Sequence, residues 1–255
     1  MGLPITFRLK RGVSIPLHWF ANKLIRVYTG RERRPVFYDI DATMPELRRL
    51  DENFETILAE LRTVLPRQAG IPRYHEADAF QAGISALDDR AWRVFFLNMH
   101  WAGKRFPTRD ACPRTVELLD GIPNVLQAFF SILEPGKDVP PHDDPAMHYL
   151  RYHLGLIVPT DKPPRIRVHD EYYTWKTGES MFFDDSWNHE VENESEQLRV
   201  VLVVDVLRPM IWPLHQFNRL LAVLREPPRR AWDSIFERLV GGGLGPQVDY
   251  SSSSR

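Results

Sequence analysis

The spacing of hydrophobic positions changes twice along this chain. Between residues 43 and 65, Leu47, Leu50, Phe54, Ile57, Leu58, Leu61 and Val64 recur three and four apart, the spacing of one buried helix face. Thr43 and Glu46 form an S/T-x-x-E capping box and Pro45 suits a first turn, so the pattern predicts a helix over 43–65. A shorter helix is predicted over 114–120, ahead of Gly121-Ile122-Pro123. From residue 126 the period becomes two. The segments 126–133, 149–158, 164–169, 179–184 and 197–207 read as strands, separated by turns rich in Pro, Gly and Asp. After Pro209 the helical period returns, with Leu214, Phe217, Leu220, Leu221 and Leu224 in one stripe and Trp232, Ile235, Phe236 and Leu239 in another. Short strands this close together predict a sandwich or barrel, so the fold class expected is a β core flanked by helices.

Composition narrows the class but not the chemistry. A chain of 255 residues can bury one large core. We expect a basic amphipathic N-terminal segment at 1–35, a catalytic domain at 36–212 and a helical extension with a loose tail at 213–255. Net charge is −1, which does not point to nucleic acid as a partner. The charge is uneven, however. Residues 1–34 carry Lys10, Arg11, Lys23, Arg26, Arg31, Arg33 and Arg34 against Glu32, with Trp19, Phe20, Ile25, Val27 and Tyr28 interleaved. Together with Arg219, Arg225, Arg229 and Arg230 near the C-terminal stripes, this segment admits peripheral contact with a membrane surface, or packing on the core. A single cysteine, Cys112, fits a reducing compartment, and no secretory signal or spanning segment is evident. The expected location is cytoplasmic, with peripheral contact at the inner membrane face as the variant.

Candidate chemistry gathers in the period-two region. His142 and Asp144 make an H-x-D pair in Pro141-His142-Asp143-Asp144-Pro145, and His189 lies in Phe182-Phe-Asp-Asp-Ser-Trp-Asn-His189. Residues i and i+2 of an extended segment share a side, so His142, Asp144 and His189 can form the two-histidine, one-carboxylate set of non-haem iron sites. The same residues can also be only an Asp-Pro turn. Arg199 stands on a strongly apolar strand, where a buried guanidinium requires a partner and offers a two-pronged match to a carboxylate. Asp205 is a poor partner for it, at about 20 Å along the same strand. On 149–158, Arg151, His153 and Gly155 share one face, as a polar pocket would require.

Ser131-Ile-Leu-Glu-Pro-Gly, Pro141-His142, Leu150-Arg151-Tyr-His153-Leu-Gly, Trp175 with Gly178, Phe183-Asp-Asp-Ser-Trp-Asn-His189-Glu, and Arg199 leading to Asp205-Val-Leu-Arg-Pro209 together resemble the aspartyl/asparaginyl β-hydroxylase family. The resemblance covers roughly 36–212. It implies a double-stranded β-helix, or jelly roll, using Fe(II), 2-oxoglutarate and O₂ to hydroxylate an aliphatic carbon. It makes His142 and His189 the iron ligands and Arg199 the clamp on the distal carboxylate of 2-oxoglutarate, helped by Ser131 and His153. Arg151 would face the substrate. His153 is thereby a co-substrate residue, not a metal ligand. Asp144 stands where the family's peptide-hydroxylating members carry glycine, and in this it is more similar to the bacterial branch that hydroxylates lipids. Asp144 then either completes a catalytic triad on the metal or hydrogen-bonds a metal-bound water. The substrates in view are an Asp- or Asn-like peptide, an amino-acid-like small molecule and a lipid acyl chain. The alternatives are a cupin-like metal protein without 2-oxoglutarate and a non-catalytic jelly-roll binding module.

Overall fold

A computed structural model describes residues 19–78, 81–99, 107–144 and 146–224. The expected amphipathic residues 1–18 and the stripe and arginines beyond 224 lie outside them. The helices are α1 (residues 19–28), α2 (Ile40–Thr43), α3 (Arg48–Glu52), α4 (Phe54–Val64), α5 (Tyr74–Ala77), α6 (Ala82–Ser85), α7 (Pro113–Asp120) and α8 (Leu214–Leu224). The strands are β1 (Trp92–Met99), β2 (Val125–Leu133), β3 (Val139–His142), β4 (Tyr149–Ile157), β5 (Arg165–Val168), β6 (Glu171–Thr174), β7 (Ser180–Phe183), β8 (His189–Glu192) and β9 (Arg199–Leu207).

The strands form two antiparallel sheets, ordered β1-β2-β9-β4-β7 and β3-β8-β5-β6. This is a double-stranded β-helix with helices packed outside it. Both faces of the larger sheet are buried. Its outward positions, among them Phe130, Ile132, Leu150, Tyr152, Leu202 and Val204, form one core with Leu47, Leu50, Ile57, Leu61 and Leu119 of the helical layer. Its inward positions, Phe129, Val201 and Val203, meet Val139, Ile166, Val168 and Val191 of the smaller sheet in a second core. A strand buried on both faces shows no alternation, which is why β9 reads as a continuous apolar run.

The single helix expected over 43–65 is broken. Pro45 opens a short 3-10 turn over Pro45–Leu47, and the chain leaves helical geometry again at Asn53 between α3 and α4. The Thr43–Glu46 capping box does not form. The cap is supplied instead by Asp39, whose carboxylate accepts from the Ala42 amide at 2.7 Å. The apolar spacing survives because all the pieces press on the same sheet face. β1, β3, β6 and β8 were not expected. β3 contains Pro140 and Pro141, which an edge strand accommodates, and it lies at the edge of its sheet.

At Gly155, the β4 backbone passes against the 176–179 turn, where the Gly155 amide donates to the Glu179 carbonyl at 3.0 Å. A Cβ there would run into the Lys176 carbonyl. Gly155→Ala is expected to cost roughly 1–3 kcal/mol by overpacking, read as a lower denaturation midpoint. An unchanged midpoint would show that the turn yields freely.

Candidate active site

Two histidines face each other across the smaller sheet. β3 and β8 pair with His142 opposite His189, and their rings lie 4.1 Å apart between centroids. Each ring is anchored locally. His142 Nδ1 lies 2.8 Å from the Pro140 carbonyl, and His189 Nδ1 lies 2.8 Å from the Trp187 carbonyl. A carbonyl can only accept, so Nδ1 carries the proton in each ring and Nε2 is left with its lone pair. Burial lowers the pKa of both: His142 below its ordinary value, and His189 to about 3, with the neighbouring His142 adding to the effect. Both rings are therefore neutral near pH 7, the protonation state a metal ligand needs.

The loop ahead of His189 is held by buried charge. Asp184, fully buried, accepts from Arg34 Nε at 3.1 Å and Arg208 Nη2 at 2.8 Å. The Arg34 guanidinium lies 3.4 Å over the Trp187 ring. Asn188 Nδ2 donates to Asp143 at 3.0 Å, which ties this loop to the one after His142. These contacts hold the loop ahead of His189, and the ion pair from Arg34 to Asp184 spans 150 residues of sequence, beyond any local pattern.

The histidines line a pocket of about 40 Å³ together with Ser131, His153, Arg199 and Arg151. Arg199 is 2% exposed and has no carboxylate partner among the described residues. Desolvation alone lowers its pKa to about 9. One nitrogen reaches Ser131 Oγ at 3.4 Å, the guanidinium lies 3.9 Å over the Trp175 ring, and Nε makes no hydrogen bond. His153 Nδ1 and Trp175 Nε1 are likewise buried without partners. Buried donors left unmatched in one place cost ~1–3 kcal/mol each and mark a site built for a ligand.

Two of the expected site residues have protein partners. Asp144 is hydrogen-bonded within the chain. β3 ends at His142, so the i, i+2 alternation does not extend to Asp144, whose carboxylate is engaged elsewhere by the Tyr149 hydroxyl at 2.6 Å and the Ala146 amide at 3.1 Å. Among the described residues, no three His, Cys, Asp or Glu side chains come close enough to hold a metal ion together. Arg151 lines the pocket, but its charge is already met. Asp205 grips it from both oxygens at 2.7 and 2.8 Å, and Asp185 lies 2.9 Å away. Burial opposes its charge, yet these carboxylates outweigh burial and raise its pKa well above the ordinary value. Sequence reasoning missed both acids, and also missed Trp92, whose Nε1 donates to Ser131 Oγ at 3.0 Å and orients it. A register for β4 against β9 would have found Asp205, which stands opposite Arg151.

Residues 51–209 match the family model for aspartyl/asparaginyl β-hydroxylase. The chain is 37% identical over 185 residues to an ornithine lipid ester-linked acyl 2-hydroxylase of Rhizobium tropici, covering 72% of this chain and 64% of that protein. It is 32% identical over 173 residues to the human aspartyl/asparaginyl β-hydroxylase, covering 64% of this chain and 21% of that protein. It thus spans less than two thirds of either relative. Among solved structures, a prolyl-4-hydroxylase of Pseudomonas putida is similar at 15% identity and a TM-score of 0.39, over 62% of this chain and 88% of that one.

The depressed His189 pKa sets a pH dependence. The unfolded imidazole binds a proton near pH 6.5 and the folded one only near pH 3, so folding stability is full above the unfolded value and falls as pH drops between them. At ~1.4 kcal/mol per unit, the metal-free chain should lose about 3 kcal/mol through this group by about pH 4. His189→Gln should flatten that slope in denaturant titrations across the range, and an unaltered slope would mean that His189 titrates normally.

Proposed function

The chain belongs to the aspartyl/asparaginyl β-hydroxylase family, and on that premise we propose that it is an Fe(II)- and 2-oxoglutarate-dependent dioxygenase that hydroxylates an aliphatic carbon of a lipid acyl chain. The observation that carries the reading is the histidine pair: two neutral imidazoles, opposite each other, each with Nδ1 occupied on a carbonyl of its own segment and Nε2 free. Such outer hydrogen bonds orient metal-binding histidines and raise their basicity. Two nitrogen donors with open positions suit iron that must also take a chelating co-substrate.

The remaining residues divide the work. Arg199 would take the distal carboxylate of 2-oxoglutarate with its two-pronged fork, which explains a buried guanidinium without a protein carboxylate. Ser131, held by Trp92, and His153 would add hydrogen bonds, and the Trp175 face supports the cation. Bound iron and 2-oxoglutarate supply the oxidising chemistry, while the chain supplies orientation and a dry pocket. Arg151, locked by Asp185 and Asp205, stiffens the wall rather than capturing a substrate anion. The choice of a lipid substrate is supported by the Rhizobium relative, whose name specifies an acyl 2-hydroxylase.

Anaerobic titration of the Fe(II)-loaded chain with 2-oxoglutarate should develop the weak visible band of an iron chelate. Iron binding with no band would move a cupin-like metal protein ahead, and no metal binding at all would favour a binding module. His189→Ala should lose stoichiometric iron, whereas Asp144→Ala should keep it, because Asp144 is held by Tyr149. Arg199→Ala should weaken 2-oxoglutarate by roughly 2–5 kcal/mol, as for truncation of one member of a buried charge pair. An unchanged affinity would remove Arg199 from the site.

A further inference from the structure

The described part of the N-terminal region is a docked helix. Ala21 and Ile25 of α1 are buried against the body, and the Met147 amide donates to Asn22 at 3.3 Å. Between α1 and the histidine loops lies a cleft of about 810 Å³. Trp19, Lys23 and Val27 line its helix side, and Asp143, Asp144 and Asn188, the residues flanking His142 and His189, line its inner side. The cleft therefore opens beside the histidine pair.

The exposed face of α1, which includes the cleft-lining Trp19, Lys23 and Val27, mixes apolar and basic side chains. Trp19 is 65% exposed, Phe20 50% and Val27 53%, and Tyr28 stands beside them. The Tyr28 hydroxyl accepts from the Ile211 amide at 3.2 Å, which joins α1 to residues 209–213, where Trp212 is 76% exposed. Exposed Lys23, Arg26, Arg31 and Arg33 are interleaved with these apolar groups. The one acid in that stretch, Glu32, is paired with Arg26. Among the described residues Lys23 and Arg31 have no carboxylate in a salt bridge, and the Lys23 ammonium lies 5.1 Å over the Trp19 ring. Aromatic rings with a polar edge, mixed with cations, are the chemistry of a bilayer interface. An interface between two copies would instead deplete lysine at its centre.

We propose that α1 and residues 209–213 form a docking surface for an anionic lipid bilayer, and that the cleft beside α1 is the path from that surface to His142 and His189. The apolar side chains enter the acyl boundary while Lys23, Arg31 and Arg33 meet lipid phosphates. The route from surface to site rests on the lipid reading given above; the docking surface does not.

The test is sedimentation of the full chain, metal-free, with vesicles of phosphatidylcholine alone or with a quarter phosphatidylglycerol. The chain should bind the mixed vesicles, bind pure phosphatidylcholine far less, and release as salt rises. Lys23→Glu with Arg31→Glu should reduce partitioning at least about twenty-fold, since each charge near such a surface contributes about five-fold. Trp19→Ser with Trp212→Ser should also reduce it, while Leu87→Ser, exposed but off this surface, should not; thermal melts check that each variant folds. Failure of the wild type to bind, or equal binding by both double variants, overturns the proposal. So does a wild-type dimer in sedimentation velocity that the tryptophan variant dissolves. Because no iron or 2-oxoglutarate is present, vesicle binding is read independently of catalysis; in a separate assay with Fe(II), 2-oxoglutarate and O₂, absence of succinate formation would sink the enzyme reading and leave the docking surface standing.

Discussion

The structure turns on β9, a strand paired on both edges and buried on both faces, which carries a guanidinium into the space between the sheets. Every residue from Arg199 to Leu207 is buried. β2 and β4 flank the strand, and their inward positions, Ser131 and His153, stand near Arg199 on the same pocket wall. Placing a cation there without a carboxylate is costly, and the structure offsets that cost only in part, through Ser131 and the face of Trp175. The rest of the site can be understood as what surrounds this deliberately unfinished interaction.

Arg151 shows the contrast. It lies on β4 with its side chain toward the same pocket, yet two carboxylates neutralise it, and one of them, Asp205, comes from β9 itself. One strand thus carries a free cation at one end and an anion committed to another cation further along. Charges satisfied within the protein make walls, and charges left over make binding sites. The same logic holds in the 184–188 loop, where Arg34 and Arg208 converge on Asp184. That loop places His189 with little freedom, as a metal ligand requires if it is not to reorganise on binding.

How much of this was legible depended on whether the cause was local. The strands around Phe130, Leu154 and Leu202 were visible because their apolar runs are long. The helical layer was visible in its apolar spacing, but Pro45 and Asn53 broke it into pieces that the spacing alone did not require. β3 and β8 were invisible as strands, being short and rich in proline, histidine and glutamate, although their histidines were picked out by residue type. Alternation would group Asp144 with His142, but β3 ends at His142 and the Asp144 carboxylate is taken up by the Tyr149 hydroxyl. Asp185 and Asp205 were missed as partners of Arg151 because one comes from the 184–188 loop and the other from β9.

By itself, the sequence determined which residues are chemically able to act: two histidines near strand ends, an arginine on a strand too apolar to leave it in water, and an ordered set of motifs that identified the family. These follow from residue type and local period, which the chain carries in one dimension. Tertiary structure alone decided which of the charged groups remain available. Sheet register set His142 opposite His189 and Arg151 opposite Asp205, while Arg199 has no acid partner among the described residues. Folding also brought Asp144 to the Tyr149 hydroxyl. The physical reason is that a buried charge is defined by its neighbours across the sheet, and those neighbours are chosen by pairing between segments far apart in the chain.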